Sequence, residues 1–222
     1  MAKVVAVYTG QGLSDPLKKV FDEQLPDSKL INIIDDSIIS EVVSEGKITP
    51  AVKKRLFQYY QNAVDMGAEI ILNTCSSVGE VADLARQFID IPIVKIDEAM
   101  AKEAVSLYGS IGVIATLPST LEPTMRLIQK QAESMGKSVL IVDGLAKGAY
   151  DALVNGRPDL HDQIILESAS TLAQQVEAIV LAQGSMARME QTLHDKTGIP
   201  VLSSPARGIT EIKRLLGESS HA

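Results

Sequence analysis

"NTCSSVGEVADLARQFIDIPIVKIDEA", residues 73–99, and "AQGSMARMEQTLHDKTGIPVLSSPA", residues 182–206, are one pattern written twice. With Cys75 set on Gln183, Ile91-Pro92 falls on Ile199-Pro200 without a gap, at an offset of 108 residues. Upstream, "VAVYTGQGLSDPLKK" (5–19) lies over "GVIATLPSTLEPTMR" (112–126) at an offset of 107. There Thr9 meets Thr116, and Asp15-Pro16 meets Glu122-Pro123. Asp35 and Asp143 each close a short apolar run, again 108 apart. Three segments in one order at nearly one offset read as a duplication, with four strands in each copy.

The strand candidates are "KVVAVYT" (3–9), "KLINII" (29–34), "AEIILNT" (68–74) and "PIVKI" (92–96), then "SIGVIAT" (110–116), "SVLIVD" (138–143), "EAIVLAQ" (177–183) and "PVLSS" (200–204). Their apolar residues run on instead of alternating, as in strands of a parallel sheet covered on both faces. Helix candidates at 49–67, 122–137 and 160–175 lie between them. Thr49 can cap the first, Pro50 suits its first position, and Gly67 can end it. The alternation predicts an α/β fold with parallel sheets.

Of the 222 residues, 45% are apolar and 4% aromatic, enough for a sizeable, mainly aliphatic core. The formal net charge is -7 and the basic residues form no run, which argues against nucleic acid as a partner. A single cysteine excludes an internal disulfide and points to a reducing compartment. The opening "MAKVVAVYTG" enters a strand at once and lacks the pattern of a signal peptide. No apolar run has the length of a membrane span. The expectation is a cytoplasmic protein without membrane partners, whose polar tail "GESSHA" frays.

In open parallel sheets, ligands bind beyond the carboxyl ends of the strands. The loops there are "TGQGLSD", "NTCSSVG", "TLPSTLEP" and "QGSMAR". They offer Thr9, Asn73, Thr74, Ser76, Ser77, Thr116, Ser119, Thr120, Gly184 and Ser185 as substrate-binding candidates, which suits a small carboxylate held at helix N-termini. Cys75 in this setting reads as a nucleophile or proton carrier whose pKa the peptide dipoles lower. It also reads as a packed small residue, with Ser76 and Ser77 as turn formers.

These motifs are similar to those of the aspartate/glutamate/hydantoin racemase superfamily. "IILNTCSSVG" resembles the segment around the first catalytic cysteine, "VLAQGSMARM" the second, and "IGVIAT" with Ser119 and Thr120 a carboxylate-binding segment. The resemblance implies two similar doubly wound parallel-sheet (αβα) domains related by a pseudo-twofold axis. It implies a division into 1–97 plus 205–222 and 98–204, with an active site in the cleft between them. It also implies cofactor-independent proton transfer beside a carboxylate, no metal, and a homo-oligomer. The family's racemases use two cysteines. Here Cys75 stands at the first position and Gln183 at the second, and an amide carries no proton near neutral pH. A single-cysteine reaction is what this pair implies, with one-sided decarboxylation, isomerisation by covalent addition, or carboxylate binding without catalysis as alternatives.

Two further readings compete. The G-x-G of "TGQGLSD", with Asp35 and Asp36 after the second strand, mimics a dinucleotide fingerprint, but Asp15 stands where its third glycine belongs. His161, His194 and His221 lie too far apart in sequence for a metal motif. Arg188 and Arg207 suit either a substrate carboxylate or a surface ion pair. Tyr8 suits either a pocket floor or the core.

Overall fold

The structure, a computed structural model, describes residues 1–219. The chain folds into two compact units. One holds Met1–Asp97 and the chain from Pro205 onward; the other holds Glu98–Ser204.

The first unit runs β1 (Lys3–Tyr8), α1 (Ser14–Gln24), β2 (Lys29–Ile34), α2 (Ser37–Glu45), α3 (Pro50–Asp65), β3 (Ile70–Asn73), α4 (Gly79–Ala85) and β4 (Ile93–Lys95). The second runs α5 (Glu98–Leu107), β5 (Ser110–Ala115), α6 (Pro118–Ser134), β6 (Leu140–Leu145), α7 (Ala149–Val154), α8 (Pro158–Leu172), β7 (Ala178–Leu181), α9 (Glu190–Thr197) and β8 (Val201–Leu202). The last helix, α10 (Ser204–Ser219), packs Ile209 and Ile212 into the first unit. Residues 217–219 of the tail expected to fray are therefore helical; 220–222, including His221, lie outside the described residues.

Each unit has one parallel sheet, ordered β2-β1-β3-β4 in the first and β6-β5-β7-β8 in the second. The α/β class read from the apolar runs is the one observed. The inner strands bury every residue after their first: Val4–Tyr8 in β1 and Ile111–Ala115 in β5. Two of the four outer strands differ from expectation. Lys29, Asn32 and Ile34 of β2 and Leu140 and Asp143 of β6 are exposed, whereas the outer strands β4 and β8 are buried throughout. In the first unit, α2, α3 and α4 cover one face of the sheet, and α1 and α10 cover the other. In the second, α5 and α6 cover one face, and α8 and α9 the other. Each fully buried Leu or Ile, such as Leu17, Leu56, Ile71 and Leu72, contributes on the order of 2 kcal/mol.

Local signals hold where they were specific. Thr49 caps α3 by accepting the Val52 N–H at 3.1 Å, with Pro50 in the first turn. Gly67 follows in the left-handed region, at φ 73. Helix α6 starts earlier than its Glu122-Pro123 signal, at Pro118, and carries Pro123 inside it. The proline removes one hydrogen bond from the helix ladder, a cost the buried Leu121, Leu127 and Ile128 outweigh.

The return of α10 depends on one close approach. A Cβ on Gly208 would lie 2.8 Å from the Ile96 carbonyl oxygen and 3.1 Å from the Ile96 Cα. Gly208→Ala should therefore destabilise the protein by about 1–3 kcal/mol, read as a lower denaturant midpoint. Gly217→Ala on the same helix meets nothing within 4 Å and should leave the midpoint unchanged or slightly raised.

Candidate active site

Parallel pairing sets the geometry at the strand ends. Val7 is opposite Asn73, so two residues further on Thr9 comes beside Cys75. Ile114 is opposite Leu181, so Thr116 comes beside Gln183 in the second unit. The two aligned positions are thus neighbours within each unit, Thr9 with Cys75 and Thr116 with Gln183. The Thr9 side chain lies where it favours a Cys75 thiolate. Gln183 Oε1 accepts the Thr116 N–H at 3.0 Å, and its Nε2 donates to Thr116 Oγ1. The two residues share an extended backbone, φ -125 and ψ 118 at Cys75, φ -109 and ψ 130 at Gln183. Each opens a 3-10 turn, Ser76–Val78 and Gly184–Met189 respectively.

Cys75 is half-buried. Burial pushes its thiol above the ordinary value. The Thr9 hydroxyl, the Ser77 N–H and hydroxyl, and the Val78 N–H pull the other way without overcoming it. The lowered pKa expected from peptide dipoles is therefore reversed: the dry surroundings outweigh the donors, and the resting sulfur is a protonated thiol. The same donors stand ready to stabilise a thiolate once one forms.

Other candidates divide by what they already hold. Asn73 accepts from the Tyr60 hydroxyl at 3.0 Å and donates to the Cys75 carbonyl at 3.0 Å. Thr74 donates its hydroxyl to the Val7 carbonyl. Both are buried and tie the loop to its own unit. Ser76 and Ser77 are buried and engaged. Thr116 and Thr120 are buried, Gly184 is half-buried and Ser185 is exposed. Met186, the bulky residue of its loop, packs into the core. Among the described residues, the buried side-chain polar atoms without a partner are Tyr8 OH and Ser119 Oγ. They flank equivalent turns, β1 to α1 and β5 to α6, where a ligand can complete them. Tyr8 is 1% exposed, and burial, with the Asp15 carboxylate nearby, keeps its phenol strongly protonated.

The charged residues are largely committed. Arg188 grips both Asp162 oxygens, and this hydrogen-bonded pairing holds the Asp162 carboxyl below its usual range. His161 is buried and shares Asp162, its neighbour in sequence, at 2.7 Å. Arg207 is also engaged, and exposed His194 contacts the Ile199 carbonyl. At the end of β2, burial raises the Asp35 pKa, but Ser37, Tyr59 and Arg55 outweigh it and hold the carboxyl low. Asp35 is thus occupied, Gln11 holds Asp36, and neither Gly10 nor Gly12 takes a positive φ. Nothing in this corner favours the dinucleotide reading. No cluster of three or more His, Cys, Asp or Glu side chains suited to a metal ion occurs among the described residues. No helix among them is long and apolar enough to cross a membrane.

A family model described as Asp/Glu/Hydantoin racemase matches residues 7–212. Several solved racemases share the fold. A glutamate racemase from Bacillus anthracis superposes with a TM-score of 0.77 at 15% identity, covering 98% of this chain and 82% of that one. Allantoin racemase from Klebsiella pneumoniae gives 0.71 at 14% identity, covering 99% and 89% respectively. Aspartate racemase from Picrophilus torridus gives 0.71 at 11%, covering 92% and 90%. No curated protein sequence matches significantly.

The thiol's raised pKa has a direct readout. Only thiolate reacts with iodoacetamide, so the alkylation rate of Cys75 should climb about tenfold per pH unit through neutrality, without levelling off before the ordinary thiol range is passed. Thr9→Val removes one donor to the sulfur and should slow alkylation at pH 8 by about three- to tenfold.

Proposed function

Because this chain belongs to the Asp/Glu/hydantoin racemase family and is a racemase-type isomerase, we propose that it transfers a proton at the carbon next to the carboxylate of a small acid, without a cofactor, using Cys75 as its single acid/base. The observation that supports this most is the setting of the sulfur: a half-buried thiol that burial keeps protonated, beside Thr9 in register and at the start of a turn whose Ser77 N–H and hydroxyl favour the thiolate. A thiol held this way gives its proton to a carbanion-like centre, and these donors then hold the thiolate left behind. In the reverse direction the thiolate takes the proton back.

Gln183 marks the limit of this chemistry. Its amide neither accepts nor releases a proton near neutral pH, and Thr116 holds both its oxygen and its nitrogen. We assign it a hydrogen-bonding role, with its second amide hydrogen available to a ligand. Ser119 Oγ, buried without a partner, is the group we assign to a substrate carboxylate. One proton carrier favours proton transfer on one face of the α-carbon. For the same reason decarboxylation of a malonate-type diacid, with Cys75 protonating the resulting enolate, is the second reading.

The relatives' names supply the probes: glutamate, aspartate and allantoin in heavy water, each enantiomer followed by proton NMR. The α-proton signal should fade with the wild-type protein and persist with Cys75→Ala. Exchange by Cys75→Ala at the wild-type rate would refute the role of the thiol. Ser119→Ala should raise KM by about tenfold, the worth of one hydrogen bond to a charged group, and leave the pH profile in place.

A further inference from the structure

The half that carries the cysteine contains a buried polar chain that the other half lacks. The Tyr60 hydroxyl donates to Asn73 Oδ1, and Asn73 Nδ2 donates to the Cys75 carbonyl oxygen, each at 3.0 Å. Tyr60 is fully buried and Asn73 is 1% exposed. The duplication supplies an internal control. The buried positions of α3, Val52, Leu56, Tyr60 and Ala63, repeat at the same spacing in α8 as His161, Ile165, Ala169 and Leu172. Asn73 ends β3 as Leu181 ends β7. The tyrosine–asparagine pair is therefore matched by Ala169 and Leu181, which lie fully buried in one apolar cluster.

The apolar pair packs the same layer without burying an amide and a phenol, so packing alone does not call for the polar pair. Nor does the backbone turn, since Gln183 takes nearly the conformation of Cys75 with no such chain behind it. What distinguishes the first half is the sulfur. Tyr60 lies within electrostatic reach of Cys75; burial first, and then this neighbour, keep its hydroxyl protonated and donating. The other charged groups facing Tyr60 are Asp83 of α4 and Arg86 just after it. Asp83 pairs with both Arg86 and the buried Lys95 of β4.

We propose that Tyr60 is a positioning residue. Acting through Asn73, it locks the Cys75 carbonyl, which also accepts the Val78 N–H at 3.3 Å, and so holds the turn whose Ser77 N–H and hydroxyl favour the thiolate as the sulfur's charge changes. The idea rests on the reading of Cys75 as the proton carrier, but its test does not require turnover.

The test is the rate of Cys75 alkylation by iodoacetamide as a function of pH, with a melting curve for each variant. Tyr60→Phe should stay folded and react about tenfold more slowly at pH 8, its profile displaced upward by about one pH unit. Asn73→Leu, which copies the second half, should show the same displacement, and Tyr60→Phe added to it should change nothing more. Tyr59→Phe is the control: that hydroxyl donates to Asp35, and its loss should leave the profile in place. If Tyr60→Phe fails to fold, Asn73→Leu decides alone. A profile that superposes on wild type, or moves no further than that of Tyr59→Phe, overturns the proposal. Persistent α-proton exchange by Cys75→Ala would instead remove the catalytic reading and leave this result standing.

Discussion

Strand register is the constraint on which the rest depends. Parallel pairing puts Val7 opposite Asn73 and Ile114 opposite Leu181. Side chains alternate along a strand, so residues two places further on return to the same face. Thr9 thereby reaches Cys75, and Thr116 reaches Gln183. A slip of one residue in either pairing would turn one member of each pair to the opposite side of its sheet. β1, β3, β5 and β7 are buried on both faces, so close packing of side chains of different size and shape, more than polarity, opposes such a slip.

On this shared frame the two halves hold different chemistry. In the first, a sulfur sits where water is scarce and donors are many. Desolvation keeps its proton on, while the hydroxyls and N–H groups around it reduce the cost of losing that proton. In the second, an amide closes a ring of hydrogen bonds with one threonine and titrates nowhere in the working range. The backbone tolerates either side chain, as the near-identical torsions at Cys75 and Gln183 show.

The polar residues at the strand ends fall into two groups. Asn73, Thr74, Asp35 and Arg188 have their hydrogen-bonding capacity directed into their own unit. They stiffen the frame and hold loops against strands. Tyr8 and Ser119 keep a buried hydroxyl without a protein partner. Since orphaned polar atoms are costly, they mark where this fold gives up stability that a ligand can restore.

How much of this was legible in the sequence follows from the range of each interaction. Strand apolarity, the Thr49 cap and the terminating Gly67 act over a few residues, and the duplication appears as a fixed offset, so the α/β class and the Cys75/Gln183 correspondence were readable directly. The exposed edges β2 and β6 were not, because an apolar run does not reveal how much of its strand the rest of the chain will cover: the other edges, β4 and β8, are buried. The sign of the thiol's pKa shift was not either: the sequence shows a turn rich in donors but not how dry the site is. The pairings of Arg188 with Asp162 and of Tyr60 with Asn73 join residues 26 and 13 positions apart. Sequence alone determined which chemical groups this protein owns and that they come in two matched sets. Tertiary structure decided which groups are committed to one another and which are left for a ligand, because burial and contact across distant segments exist only once the chain has folded.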